Sequence, residues 1–369
     1  YKLYILKPIL LITSEFPPRP GGIGNHSYNL AKQLSSKGLK VCVIAPSINK
    51  TLDADFDNSQ SFIIHRYSNN PYLKPLAIFL FIILDYLKNK KQILIASGQI
   101  PLIIACIYSR LIFTKCIAIF HGHEISLGNK IIKSLLEKLI GSFNQIIAVS
   151  TFSKNRALAI NPLLKIKVIN NGFDISRFKN KAININTDNL RLITLGSLSY
   201  RKGQHNVIKA LPHILPYYNT IQYDMVGTPY IIKELQDLAK LLNVDNLVKF
   251  HGVLDDKDLN KLLLDSNIFI MLSDNLDNGD IEGYGIAILE ANYLGLPAIG
   301  SKGCGIEDAI SNGYNGELIN NKNPEELILA LDKIFAKYDN YSDNAIIWSK
   351  KHSWNIISDY YIDEINNLS

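Results

Sequence analysis

The 369 residues predict an α/β protein: two Rossmann-like, doubly wound parallel-sheet domains facing a central cleft. Three observations predict it. The chain opens with a strand, a glycine-rich loop, a helix and a second strand, which is the building block of parallel sheets. The same alternation restarts after a polar stretch at 179–189. A length of 369 residues also suits two domains of ordinary size, each able to bury its own core. The first domain is placed at 1–178 and the second at 179–351.

Taken in order, Ile9 to Thr13 reads as a buried strand, followed by a loop carrying Pro17, Pro18 and Pro20. Gly21, Gly22 and Gly24 come next. Their G-G-x-G spacing differs from the G-x-G-x-x-G of a dinucleotide loop, so an NAD site is poorly supported. Ile23, Ser27, Leu30, Ala31 and Leu34 fall on one face of a helix that stops at Gly38, and Val41 to Ala45 is the next strand. Leu76 to Leu84 is apolar for nine residues, well short of the roughly 20 that cross a bilayer. A buried core helix is the expectation, with an interfacial helix as the alternative, since Lys74 precedes the run and Lys88, Lys90 and Lys91 follow it. Further strands are expected at Gln92–Ala96, Ile117–Phe120 and Gln145–Val149. A helix at Asn129–Ile140 places Ile131, Ile132, Leu135, Leu136, Leu139 and Ile140 on one side and Lys130, Lys133 and Lys138 on the other.

In the second half, Leu192–Gly196, Gln222–Gly227, Val248–Gly252, Ile268–Leu272 and Pro297–Gly300 read as strands. A helix begins at Gly203–Leu211, and another runs from Ile286 to Leu294, closed by Gly295 and Pro297. In sheets of this kind ligands bind at the carboxyl ends of the strands, which places the expected site in the cleft.

At 47% hydrophobic and 20% charged the composition is globular. Cys42, Cys106, Cys116 and Cys304 form no CxxC pair and lie in or near apolar stretches, so buried reduced thiols in a cytosolic protein are expected. No signal peptide is expected from the opening residues. The net charge of +6 is unevenly spread. Residues 1–175 carry 21 Lys+Arg against 8 Asp+Glu, and the remainder 18 against 25. A basic half faces either nucleic acid or an anionic membrane. With no zinc finger, RRM signature or RGG run, the membrane is the expected partner and nucleic acid is not. Compositional drift in a Lys-, Asn- and Ile-rich chain is the bland alternative.

The most informative stretch is Glu282-Gly283-Tyr284-Gly285-Ile286-Ala287-Ile288-Leu289-Glu290. One carboxylate sits in the loop before a helix and the other just over a turn inside it. The glycines allow close backbone approach, and the free N–H groups at the helix start favour phosphate. Carboxylates accept from hydroxyl-rich rings, so the pattern outlines a nucleotide-sugar: a hexose at one end of a diphosphate, a ribose at the other. Acidic helix capping is the ordinary alternative.

This stretch resembles the E-x7-E signature of family 4 of the retaining glycosyltransferases, which have the two-domain GT-B fold. Other matches follow in order: Gly21-Gly22-Ile23-Gly24, His121-Gly122-His123-Glu124, Val149-Ser150-Thr151-Phe152-Ser153-Lys154, Val168-Ile169-Asn170-Asn171-Gly172-Phe173-Asp174, Arg201-Lys202-Gly203 and Asn312-Gly313-Tyr314-Asn315-Gly316. The resemblance implies a retaining hexosyltransferase with a GDP- or UDP-linked sugar as donor and no cofactor. The HGHE stretch looks most like members that move mannose or a related hexose onto lipid-linked acceptors in cell-surface glycan synthesis. It also implies that the last helix, around His352 to Asn367 within 352–369, crosses back to the first domain, with Trp354 as its packing anchor.

Residue by residue, the resemblance gives Glu282 the sugar hydroxyls and Glu290 the ribose hydroxyls, with the backbone at Gly283, Tyr284, Gly285 and Ile286 on the phosphate. The backbone at Gly252 and Val253 would hold the base, and Gly21, Gly22 and Gly24 would close on the donor. Arg201 and Lys202 would neutralise the departing diphosphate. Many relatives have a further arginine directly after the strand-end glycine; Ser197 stands there, so Arg201 would supply both contributions. His121 would hydrogen-bond the transferred sugar. For His123 and Glu124 an acceptor contact and a loop cap both remain open.

Asp53-Ala54-Asp55-Phe56-Asp57 contains a D-x-D but reads as a solvated acidic loop, and no metal site is expected. The expected setting is cytoplasmic, peripheral on the inner face of the cytoplasmic membrane. Two alternatives stay open: a nucleotide-sugar 2-epimerase on the same fold, which would turn over donor without acceptor, and a non-catalytic nucleotide-sugar-binding relative.

Overall fold

The computed structural model describes residues 7–19, 21–70, 72–89, 92–122, 124, 130–178 and 189–368. The chain divides into two units, Tyr1–Gly172 with Trp354–Ser369, and Phe173–Ser353.

The first unit alternates β1 (Ile9–Thr13), α1 (Gly22–Ser36), β2 (Val41–Pro46), α2 (Lys50–Asn58), β3 (Ile63–Tyr67), α3 (Leu73–Lys88) and β4 (Ile93–Ser97). It continues through α4 (Gln99–Ile112), β5 (Lys115–Phe120), α5 (Lys130–Leu139), β6 (Gln145–Ala148), α6 (Thr151–Leu158) and β7 (Ile166–Val168). Its seven strands form one parallel sheet in the order β3-β2-β1-β4-β5-β6-β7. Ile9 lies opposite Val41 on one side and Ile93 on the other. Every residue of β1, β2 and β4 is buried, as continuous apolar strands require when helices cover both faces.

The second unit runs β8 (Asn189–Leu195), α7 (Gln204–Ile214), β9 (Thr220–Val226), α8 (Ile232–Leu241), β10 (Val248–Gly252), α9 (Asp256–Leu264) and β11 (Ile268–Met271). Then come α10 (Ile286–Tyr293), β12 (Ala298–Ser301), β13 (Gly316–Ile319), α11 (Pro324–Phe335) and α12 (Tyr338–Lys351). The parallel sheet here has six strands, in the order β10-β9-β8-β11-β12-β13. The linker expected at 179–189 lies outside the described residues, except that Asn189 opens β8.

The last helix, α13 (Trp354–Asn367), packs on α1 within the first unit. Trp354 is buried and its indole lies over Gly172, where an added Cβ would fall 2.7 Å from the ring. Lys37 pairs with Asp359, and Lys167 with Glu364 at 2.5 Å.

Three local readings are corrected. The glycines at 21–24 are not a free loop, because α1 begins at Gly22 and takes Gly24 into its first turn. A Cβ on Gly24 would stand 3.1 Å from the backbone nitrogen of Phe16, whereas one on Gly22 would meet nothing. The Asp53–Asp57 stretch is helical rather than a solvated loop. Asp53 is buried and accepts from Ser47 Oγ at 2.7 Å and Ile48 N–H at 2.9 Å, while Asp57 is paired with Arg66.

The third correction is the apolar run. It is not a fully buried helix, since only Ile78 and Ile82 of its aliphatic residues are buried, with Ala77 and Ile83 partly buried against the core. Leu73, Leu76, Leu80, Leu84 and Leu87 recur every three or four residues on the opposite face and are 45–67% exposed. A run apolar on all sides hides which face is used, and only the neighbouring helices decide it. No described helix is long and apolar enough to cross a membrane. All four cysteines are buried and unpaired.

Candidate functional site

Both sheets reverse strand order at one point, between β1 and β4 in the first unit and between β8 and β11 in the second. Loops diverge there, leaving a crevice at the carboxyl ends of the strands. Most of the residues singled out from sequence lie near these two points, whereas Gly252 and Val253 lie at the end of the edge strand β10.

In the second unit, β8 is followed by Gly196, whose positive φ is 143°, and the chain enters the short turn Tyr200–Lys202. The Lys202 side chain crosses Gly196, with Cε 3.0 Å from where a Cβ would be. Gly203 opens α7 with φ 75°, and a Cβ there would strike the Leu272 carbonyl oxygen at 1.8 Å. That contact holds the Arg201–Lys202 turn against the end of β11, the strand leading to Glu282. Arg201 Nη1 and Lys202 Nζ both reach Glu282 Oε2, the lysine at 2.8 Å. Arg201 Nε also donates to Asp280 Oδ1 at 3.1 Å. Two cations and a carboxylate 81 residues apart thus share one point, with Glu282 itself buried.

Beyond Glu282 the backbone is threaded tightly. Gly305 N–H donates to the Glu282 carbonyl at 2.9 Å, and a Cβ on Gly305 would fall 2.1 Å from the Gly283 oxygen. Gly285 adopts φ 86° as the N-cap of α10, a left-handed conformation that favours glycine. The first turn bond of α10 is Ile288 N–H to the Gly285 carbonyl at 2.9 Å. The N–H groups of Tyr284, Gly285 and Ile286 have no hydrogen-bond partner among the described residues, which suits an anion. The Tyr284 ring is buried, so only its backbone is offered. Glu290, one turn into α10, is also buried. Gly252 closes β10 with φ 65°; its carbonyl accepts from Gly227 N–H at 2.7 Å, and Val253 is exposed.

In the first unit, His121 follows β5 and its Nε2 is 2.9 Å from Ser97 Oγ at the end of β4. The ring of His26, from α1, stands edge-on to His121 with centroids 4.9 Å apart. His26 Nε2 in turn meets Tyr361 Oη of α13 at 3.0 Å. Burial lowers the His26 pKa to about 3, so it is a neutral ring backing His121. Ser97 and His26 were not anticipated: no motif marks Ser97, and His26 is not among the positions read for the apolar face of the helix around it. Gly21 caps α1 with extended backbone, beside the Glu15 carboxylate. His123 lies outside the described residues.

Glu124 is buried and turned inward. Its carboxylate accepts from the N–H groups of His121, at 3.0 Å, and Gly122, at 3.0 Å. These are the bonds of a loop cap. Burial raises its pKa to about 7, against the pull of the two amides. A carboxyl that binds its proton more tightly when folded destabilises the native state as pH rises from its ordinary value of 4.5 to about 7. The size is on the order of 3 kcal/mol. Glu124→Gln therefore flattens the pH dependence of the thermal unfolding midpoint across that window. Parallel slopes for variant and wild type, measured by calorimetry, would exclude this.

A Glycosyltransferase Family 4 domain matches residues 20–177, and a Glycosyl transferases group 1 domain matches residues 176–350. The chain is 25% identical over 358 residues to an uncharacterized glycosyltransferase of Methanocaldococcus jannaschii, covering 89% of each. It is 23% identical to the GDP-mannose-dependent α-(1-6)-phosphatidylinositol monomannoside mannosyltransferase of Mycobacterium tuberculosis, covering 90% of each. Among solved structures, Anabaena HepE in complex with UDP aligns with a TM-score of 0.78 at 21% identity, over 98% of this chain and 100% of that one.

Proposed function

We propose that this chain, a GT-B glycosyltransferase built from a family 4 domain followed by a group 1 domain, moves a hexose from a nucleotide diphosphate to a lipid-linked or polysaccharide acceptor, with retention and without a metal. The convergence of Arg201 and Lys202 on Glu282, beside the amides that open α10, carries the reading. Cations and free N–H groups at one point suit a diphosphate that must leave with its charge. Glu282 then accepts hydroxyls of the hexose, and Glu290 those of the ribose. Retention follows from a one-faced reaction in which the departing phosphate takes the proton of the acceptor hydroxyl, so the protein supplies placement and charge rather than a nucleophile. Mannose, or a related hexose, is the favoured sugar, in keeping with the GDP-mannose-dependent relative.

Calorimetric melting with a panel of UDP- and GDP-sugars in excess EDTA tests the donor and the absence of metal together. The correct donor at about 100 times its dissociation constant stabilises by about 2.7 kcal/mol. The stabilisation and subsequent transfer should both survive chelation. Loss of transfer in EDTA, restored by Mg²⁺ or Mn²⁺, would overturn the metal-independent reading. An inverted product anomer, seen by NMR, would overturn retention.

We place the enzyme on an anionic membrane surface, through the first unit. Its exposed leucines on α3 are joined by Ile107 and Leu111 of α4 and by Phe113, which is 94% exposed. α4 packs between α3 and α5, so these side chains belong to one layer of helices. Lys88, Arg110, Lys115 and Lys138 are exposed on the same segments. Scattered apolar residues are ordinary on a soluble surface, but a leucine on every turn of a helix, with cations at the margins, fits a lipid interface.

A further inference from the structure

One side chain seats Glu290, and the donor contacts above make no use of it. Arg177 ends the short turn Ile175–Arg177 at the start of the second unit. Its Nη1–H donates to Glu290 Oε1 at 2.8 Å. Its Nε–H and Nη2–H donate to Asp256 Oδ1 at 3.1 and 2.8 Å. Asp256 opens α9, so the guanidinium ties the start of α9 to the second turn of α10.

The arginine is itself held from several directions. Asp174 caps its turn, accepting from Ser176 N–H at 3.0 Å and Ser176 Oγ at 2.7 Å. Asn260 Nδ2 donates to the Arg177 carbonyl at 2.9 Å. The guanidinium carbon lies 5.3 Å from the centroid of the buried Phe178 ring. Glu290 Oε2, by contrast, has no hydrogen-bond partner among the described residues. One oxygen of the carboxylate is anchored and the other is offered.

We propose that Arg177 is a positioning residue for the donor: it fixes Oε1 of Glu290 so that Oε2 is presented to the ribose diol of the nucleotide. The proposal rests on Glu290 being the ribose contact. A planar fork suits the task, because it meets two carboxylates at once on opposite edges, which a lysine cannot do. Four influences act on the Glu290 carboxyl. Burial pushes its pKa up, Arg177 pulls it down, Asp256 on α9 pushes it up again, and Lys202 pulls it down. Without Arg177, burial and the Asp256 charge remain, opposed by Lys202 alone. Glu290 then binds its proton more tightly than in the wild type, and each protonated carboxyl loses an acceptor for the ribose hydroxyls.

The test is calorimetric binding of UDP and GDP to the intact protein, from mildly acidic to mildly alkaline pH. Wild type, Arg177→Met, Arg177→Lys, Glu290→Gln and Glu290→Ala are compared, with circular dichroism confirming the fold of each. Wild-type affinity for the preferred nucleotide should be flat across the range. Arg177→Met should weaken it by about tenfold or more near neutrality, the scale of a hydrogen bond to a charged group. The loss should shrink as pH rises and Glu290 ionises. Arg177→Lys should restore the flat profile with only part of the affinity, and Glu290→Gln should be weak at every pH. If Glu290→Ala weakens binding while Arg177→Met binds like wild type, or weakens it equally at all pH, Arg177 is only a structural tie and the proposal is overturned. If Glu290→Ala itself binds like wild type, the ribose assignment fails and the proposal falls with it.

Discussion

Glu282→Ala and Lys202→Ala are each expected to lower transfer by about two to three orders of magnitude, the usual cost of removing one preorganised charge-stabilising group. Neither should unfold the protein. Both side chains lie at loop ends, and the contacts that hold the loops are made by backbone: Gly203 against Leu272, and Gly305 against Glu282 and Gly283. The two losses should differ in kind. If Lys202 serves charge that develops as a diphosphate leaves, as proposed, its removal should fall chiefly on kcat. In the proposed role Glu282 would contact the bound sugar in the ground state as well, and without it Arg201 and Lys202 lose their shared partner and repel, so KM for the donor should also rise. The double variant should be little worse than the worse single one, because the residues act as a unit. Steady-state rates with the donor identified by thermal shift decide the matter. Wild-type turnover in either variant would remove this site.

Replacing Leu76, Leu80, Leu84 and Leu87 together with glutamine should abolish the salt-resistant part of vesicle binding. These residues are 45–67% exposed and add little to the core, so the fold should persist. Fully burying one leucine is worth about 1.5–3 kcal/mol, so even partial insertion of four changes partitioning by orders of magnitude. A basic residue near an anionic leaflet adds about 1 kcal/mol, screened by salt. Wild type should therefore show two components in vesicle sedimentation. One requires anionic lipid and fades with salt; the other survives salt and is carried by the leucines. The glutamine variant should keep the first and lose the second. Equal sedimentation of variant and wild type at high salt would return the stripe to ordinary surface. No binding to any vesicle would end the membrane assignment.

The strands at the centre of both sheets were legible in the sequence for a physical reason. A strand buried on both faces must be continuously apolar, and β1, β2 and β11 carry that signal within a few residues. The glycine-flanked starts of α7 and α10 were equally plain, since a left-handed turn admits few residues other than glycine. Edge strand β3 gave no such signal, because it has Ile63 exposed and His65 and Arg66 half-buried. Helices α2, α4, α6, α8, α9, α11 and α12 passed unread.

Residue identity alone pointed to Arg201, Lys202, Glu282 and Glu290 as groups suited to a charged, hydroxylated ligand. Which of them meet was decided only by the tertiary structure. Arg201 and Glu282 are 81 residues apart, and the strand order, not any spacing, sets β8 beside β11 and brings them together. Arg177 reaches Glu290 across 113 residues by the same means, and no local pattern marks it. The exposed leucines illustrate the converse. A run of Leu, Ile and Phe has no polar face to declare which side is inward, so the sequence left the burial of α3 undetermined. Packing decided it, placing Ile78 and Ile82 in the core and leaving a leucine on each turn facing out.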